Sequence, residues 1–162
     1  MALVDYFLKI DGIDGESQDA KYKNAIDVLS WSLGVSNAAT MATGGGGGAG
    51  KAAFNDATFV MKVSKASPKL KLACASAEHI KKVVLSCCKA GKDKQQFLTY
   101  TFSDCIVSSY QTGGSGSADI VPTDQISLNY AKIETEYKAQ KPDGTLDGGI
   151  KAGWDLKGNQ KV

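Results

Sequence analysis

The 162-residue chain contains no arginine: all 19 of its basic residues are lysines. The bidentate guanidinium contacts that read guanine edges or grip carboxylates and phosphates are therefore missing, which argues against sequence-specific DNA binding. Histidine is almost as scarce, with His79 alone. One imidazole cannot complete the usual zinc sets with Cys74, Cys87, Cys88 and Cys105, which themselves lack CxxC spacing, and no Ser-His-Asp or Cys-His grouping can be assembled around it. No GxSxG motif is present, and no apolar run approaches membrane-spanning length. The start, MALVDYFLKIDGIDGES, places Asp5 inside its apolar stretch and has no small-residue cleavage pattern, so it does not read as a secretory leader. Paired acids occur in many loops without metal-ligand or catalytic spacing. No catalytic residue, cofactor or metal ligand emerges, and the expectation is that the chain is not an enzyme.

What is present is ordinary globular composition: 43% hydrophobic residues, 22% charged residues and a net charge of +2. A chain of this length forms a single domain that buries roughly 70% of the surface exposed when unfolded. Its central stretch runs from Ala25 to Lys51. Asp27, Leu29, Trp31, Leu33 and Val35 alternate with smaller or polar residues, which predicts a strand with that larger set facing the core and Ser30 and Ser32 facing away. The glycine loop behind it, Gly44 to Gly50 followed by Lys51, satisfies part of a phosphate-loop pattern. A five-glycine run matches almost any glycine pattern, however, and the context fails: Ala52 stands where the magnesium hydroxyl belongs, the preceding segment is polar, and a strand follows in place of a helix.

Period-two alternation predicts further strands at Leu3–Asp11, Phe54–Val63, Ile80–Ala90, Gln96–Asp104, Cys105–Gln111 and Gln125–Tyr137. A hairpin joins the third and fourth across Ala90–Gln95, a bend is expected at Asp104, and a parity switch predicts a bulge near Ala131. Adjacent Cys87 and Cys88 must point to opposite strand faces, so four reduced thiols are expected. The Asp11–Ser17 segment lacks EF-hand spacing and reads as a turn. Ser67 and Pro68 announce one short helix, with Ser67 as its cap and Leu70, Ala73, Cys74 and Ala77 as its apolar stripe, ending near His79. Thr112–Asp119 is a second glycine-serine loop. The tail from Lys138 onward is rich in glycine, aspartate and lysine, and is expected to order only against a partner.

DYFLKI near the start, GES at Gly15–Ser17, VLSWS at Val28–Ser32 and GGGGAGK at Gly45–Lys51 open an ordered series of short motifs. KASPKL at Lys65–Leu70, Ala73-Cys74, KAG at Lys89–Gly91, VSSY at Val107–Tyr110, TGGSG at Thr112–Gly116 and SLNYAKIE at Ser127–Glu134 continue it. In this combination the chain resembles the Hcp family, the haemolysin-coregulated tube proteins of bacterial type VI secretion, over essentially its whole length. Met61, Ser64 and Asp124 depart from the common pattern, leaving open any salt bridge made at those positions in relatives.

The resemblance implies a mainly β fold: a β-barrel of two packed antiparallel sheets with one short flanking α-helix, residues 1–137 forming the barrel and 138–162 a glycine- and lysine-rich extension of the same domain. It implies a structural subunit that forms hexameric rings, stacks them into a tube, and works with a contractile sheath, a spike or tip protein and effectors carried in the lumen. Ser30 and Ser32 are then the candidate lumen contacts. Gly44, Gly45, Gly46, Gly47, Gly48, Gly50, Lys51, Gly113, Gly114 and Gly116 are the candidate ring-contact loop residues. No nucleic-acid partner, cofactor or membrane insertion is implied, and export would follow cytoplasmic assembly without a signal peptide. A phage-tail-type tube protein and a β-sandwich ligand-binding module, the latter needing a concave aromatic cluster around Trp31 and Trp154, remain the alternatives.

Overall fold

The computed structural model describes residues 3–39, 50–91, 94–117 and 121–162. Its strands are β1 (Val4–Ile10), β2 (Ile26–Ser32), β3 (Val35–Asn37), β4 (Ala52–Phe54), β5 (Ala57–Lys62), β6 (Ile80–Lys89), β7 (Gln95–Gly113), β8 (Thr123–Tyr137), β9 (Ile150–Asp155) and β10 (Gln160–Lys161). The helix α1 spans Ser67–Ser76 between β5 and β6. Antiparallel pairing runs β8-β5-β2-β1-β6-β7, and β7 pairs back onto β8, closing a six-stranded barrel. Closure pairs each of these six strands on both sides, removing barrel edges that would otherwise template aggregation.

Alternation fills the barrel as expected on most strands. Leu8 and Ile10 of β1, Ala57, Phe59 and Met61 of β5, and Ile126, Leu128 and Tyr130 of β8 are all buried in one cluster with Leu70 and Ala73 of α1. Phe59 and Phe102 meet edge to face at 6.2 Å near its centre, the arrangement favoured by the ring quadrupoles. Cys87 joins this core, whereas Cys88 belongs to a separate outer cluster with Phe7 and Ala25, under Tyr22. The two thiols do point to opposite faces, and all four cysteines are free. Phe7 is buried on the outside of β1 because Tyr22 stacks on it at 4.5 Å.

On β2 the expected faces are corrected. Ile26 and Val28 are buried, while Asp27 is exposed and Leu29 is 51% exposed. A bulge shifts the register between Val28, opposite Met61, and Ser30, opposite Val60. The extra residue reverses parity, so only past the bulge do Trp31 and Leu33 turn toward the core. Val35 is exposed.

The single expected strand Phe54–Val63 is two strands, because Asn55 and Asp56 separate β4 from β5. β3 and β4 pair antiparallel as a separate two-stranded sheet.

Ser67 does not cap α1. Ala66 occupies the cap position without a side-chain hydrogen bond, while the Ser67 hydroxyl donates to the Asp124 carboxylate. At the other end Ala77 adopts φ +51°, and the amides of Ala77 and Glu78 satisfy the carbonyls of Cys74 and Ala73.

The bend at Asp104 is present, with φ +53°. The parity switch on β8 is equally real, since Tyr130 and Ile133 are both buried. Its cause is not a one-sided bulge at Ala131: Cys105 faces Tyr130 and Ser103 faces Lys132, so β7 and β8 bend together without slipping register. The bulge in this pair lies between Val107 and Ser109.

The tail is ordered by the chain itself. β9 pairs with Lys132–Tyr137 of β8, β10 pairs with β9, and the Leu156 amide donates to the Ala131 carbonyl at 2.8 Å.

Candidate assembly surface

Ser30 and Ser32 are both exposed on the outside of β2. Their neighbours follow from the register. Ser30 lies beside Val60, Val60 beside Gln125, and Gln125 beside Gln111, giving one row across β2, β5, β8 and β7. Ser32, Thr58, Ser127 and Ser109 form the next row. None of these eight side chains ionises, although 22% of the chain is charged.

The two rows form a neutral wall of hydroxyls and amides with Val60 as its only aliphatic member. At one end lie Asp27 and Lys62, of opposite sign. Although Asp27 is exposed, partial desolvation by the surrounding protein raises its carboxyl above its ordinary pKa, and the attraction of Lys94 and Lys62 partly offsets this. At the other end Asp56 accepts hydrogen bonds from Ser108 at 2.7 Å and Asn129 at 2.9 Å. Further along the outward side of β8, Lys132 pairs with Glu134 at 3.1 Å, and Lys151 of β9 pairs with Glu136 at 3.6 Å.

Sequence reasoning found the β2 end of this wall but missed Thr58, Val60, Gln125, Ser127, Ser109 and Gln111. The signal was available, since the outward residues of β5 before Lys62 (Thr58, Val60) and of β8 before Lys132 (Thr123, Gln125, Ser127, Asn129) carry no charge. What the sequence lacked was the order of the strands.

Beyond the end with Asp27 and Lys62, Leu29, Val63 and Val121 share an exposed groove with Ile26 and Glu16.

Of the loop residues, Gly44, Gly45, Gly46, Gly47 and Gly48 lie outside the described residues. Gly50 and Lys51 enter β4; the Asn37 side-chain amide donates to the Gly50 carbonyl at 2.8 Å. A side chain at Gly50 would come within 2.8 Å of the Ala39 amide nitrogen, so this position requires glycine. A strand follows Lys51, not the helix whose N-terminus a phosphate loop needs. Gly113 ends β7, and Gly114 and Gly116 continue the exposed loop behind it.

His79 has a partner that the sequence did not reveal. Its Nε2 lies 3.1 Å from Asp104 Oδ1, with both side chains more than half exposed. No nucleophile among the described residues is hydrogen-bonded to the pair. Among the described residues, no group of three or more His, Cys, Asp or Glu could hold a metal ion. No helix among them is long and apolar enough to cross a membrane.

Residues 7–137 match the family model described as Type VI secretion system effector, Hcp. The chain belongs to the Hcp family. It is 42% identical over 158 residues to the Hcp1 protein of Pseudomonas aeruginosa, covering 96% of this chain and 97% of that protein. Hcp1 from Salmonella typhimurium shares the fold with a TM-score of 0.81 at 35% identity, covering 99% of this chain and 100% of its own. A further type six secretion system protein reaches a TM-score of 0.93 at 34% identity over 98% of this chain and 99% of its own. The barrel is therefore an Hcp fold, and the chain is an Hcp-type component of type VI secretion, a secreted class of protein. Asp124, buried, is hydrogen-bonded to Ser67 and Tyr110, and among the described residues it forms no ion pair.

Proposed function

We propose that this Hcp chain forms hexameric rings that stack into the inner tube of the secretion machine, with the neutral wall facing the lumen and touching the effectors carried there. The observation behind this reading is the pair of uncharged rows across β2, β5, β8 and β7. A long cargo path is served by a surface of short hydroxyls and amides, while ion-paired lysines and glutamates suit the water-facing exterior. The closed barrel supports it as well. With the six barrel strands paired on both sides, contact between copies falls to outward side chains, the β3–β4 hairpin and the β9–β10 extension, surfaces suited to a head-to-tail interface that closes by rotation. Such an interface buries on the order of 1,000 Å² or more.

Residues 138–162 act as an extension of the same domain, supported by the continuous β8–β9 pairing. The glycine-loop residues, including Gly50, Lys51, Gly113, Gly114 and Gly116, contact neighbouring copies, and the assembled tube meets a sheath around it and a spike at its tip. Assembly takes place in the cytoplasm, and export follows through the tube machinery.

Electron microscopy of the purified protein tests the ring: uniform particles with an open centre are expected, and a strictly monomeric mass by light scattering at high concentration refutes it. Ser32→Gln tests the wall. An exposed polar residue can grow without a core clash, so rings should persist while copurification of a cognate effector weakens. Equal retention on intact rings removes Ser32 from the cargo site.

A further inference from the structure

Beyond the lumen assignment, and resting on it, we infer that the wall is indifferent to the sign of its cargo's charge: it accommodates folded effectors of either net charge and holds them through neutral hydrogen bonds. Symmetry makes the absence of charge consequential. Any ionisable residue on this face would recur in every subunit, giving the lumen a ring of like charges, and such rings make pores selective for one sign. Ser30, Gln125 and Gln111, with Val60, contain none; nor do Ser32, Thr58, Ser127 and Ser109.

The charges nearest the wall are restrained. Lys62 and Asp27 oppose one another at one end. At the other, both oxygens of Asp56 already accept hydrogen bonds, from Ser108 and Asn129. Asp56 lies two positions before Thr58, about 7 Å at a strand's rise and close to the screening length of roughly 8 Å at physiological salt, so its charge reaches the nearer row only weakened. Hydroxyls and carboxamides both donate and accept, so this surface can satisfy either kind of polar group on a cargo without preferring cations or anions.

The test uses assembled rings and two purified effectors of the same secretion system with net charges of opposite sign. Wild-type rings should retain both, with retention changing less than about two-fold between about 50 and about 500 mM NaCl. Gln125→Lys should create the missing selectivity: at low salt the basic effector loses about five-fold or more of its retention and recovers it at high salt, while the acidic one is held at least as well. Gln111→Lys, in the same row on β7, should do likewise. A fall of about five-fold in wild-type retention on raising the salt would show that charge holds the cargo, overturning the inference while Ser32→Gln still reports on the lumen reading. Lysine variants that form rings but change nothing at any salt would take the wall out of contact with cargo, overturning both. Loss of rings in both lysine variants would make the row a contact between subunits, again overturning both.

Discussion

Replacing Asp124 with alanine should be among the most damaging single changes outside the aliphatic core. The side chain is only 1% exposed. One oxygen accepts the Ser67 hydroxyl and the other accepts the Tyr110 hydroxyl at 2.9 Å, while Ser67 Oγ accepts the Ser64 amide at 3.0 Å. This carboxylate thus joins β8, β7, the start of α1 and the turn before it. Asp124→Ala leaves two donors without their acceptor, the Ser67 hydroxyl buried and Tyr110 half-buried. Hydrogen bonds to a charged group contribute about 1.5–3 kcal/mol each, so a loss of about 3–5 kcal/mol is expected. Against a total stability of about 5–15 kcal/mol that is a large fraction, corresponding to roughly 10 °C in Tm for a domain this size. Asp124→Asn keeps one carbonyl acceptor and should cost about half as much, and Tyr110→Phe about 1–2 kcal/mol. Urea unfolding of the three variants and of the Asp124→Ala/Tyr110→Phe pair measures the coupling directly. A loss below about 1 kcal/mol for Asp124→Ala, with native far-UV dichroism, would refute the reasoning.

Lys94 contacts Asp19 at 2.7 Å and Asp5 at 3.0 Å, and these hydrogen bonds lower the Asp19 pKa from 3.8 and raise that of Lys94 from 10.5. The depressed acid contributes stability above pH 3.8 that is lost as pH falls through its folded pKa; the raised lysine contributes below pH 10.5 and loses it as pH rises through its own. Lys94→Met should therefore cost about 1 kcal/mol or less near pH 7 and nothing in strong acid, checked by urea melts at the two pH values. Burial pushes the Cys87 and Cys105 thiols up to about 12, so both should resist alkylation in the native state, whereas half-buried Cys74 reacts first and denaturation releases all four. Phe59→Ala should cost about 3–5 kcal/mol by calorimetry or denaturant melts, and Leu29→Ser less than about 0.5 kcal/mol unless copies bury Leu29 between them.

Local alternation was enough to read the barrel-facing residues of β5 and of the first half of β8, because each keeps one parity over its buried residues. β2 defeated the same reasoning. Asp27, Leu29 and Trp31 make a regular apolar-looking series, but one bulged residue gives the strand two parities, and the misplaced charge of Asp27 between buried Ile26 and Val28 was the clue. At Ser67 the serine-proline pair suggested a cap, yet the hydroxyl is drawn to a carboxylate 57 residues away. Such a competitor is invisible to any short window. The neutral wall was half legible for a related reason: the outward composition of each strand is in the sequence, whereas the ordering of β7, β8, β5 and β2 into one surface depends on barrel closure. The tail's polar composition suggested disorder, but backbone pairing with β8 does not depend on apolar side chains.

The long β7–β8 ladder also has a mechanical meaning. β7 has 19 residues and β8 has 15, and they remain paired from Gly113 opposite Thr123 to Leu98 opposite Tyr137. At a rise of about 3.3 Å per residue, the 15 residues of β8 form a rib roughly 50 Å in contour. A push or pull directed along that rib loads its many rungs side by side, so no single hydrogen bond bears the whole force. Loading across the rib would open the ladder one rung at a time, beginning at an end. The subunit should therefore be stiff along one axis and comparatively easy to unzip across it.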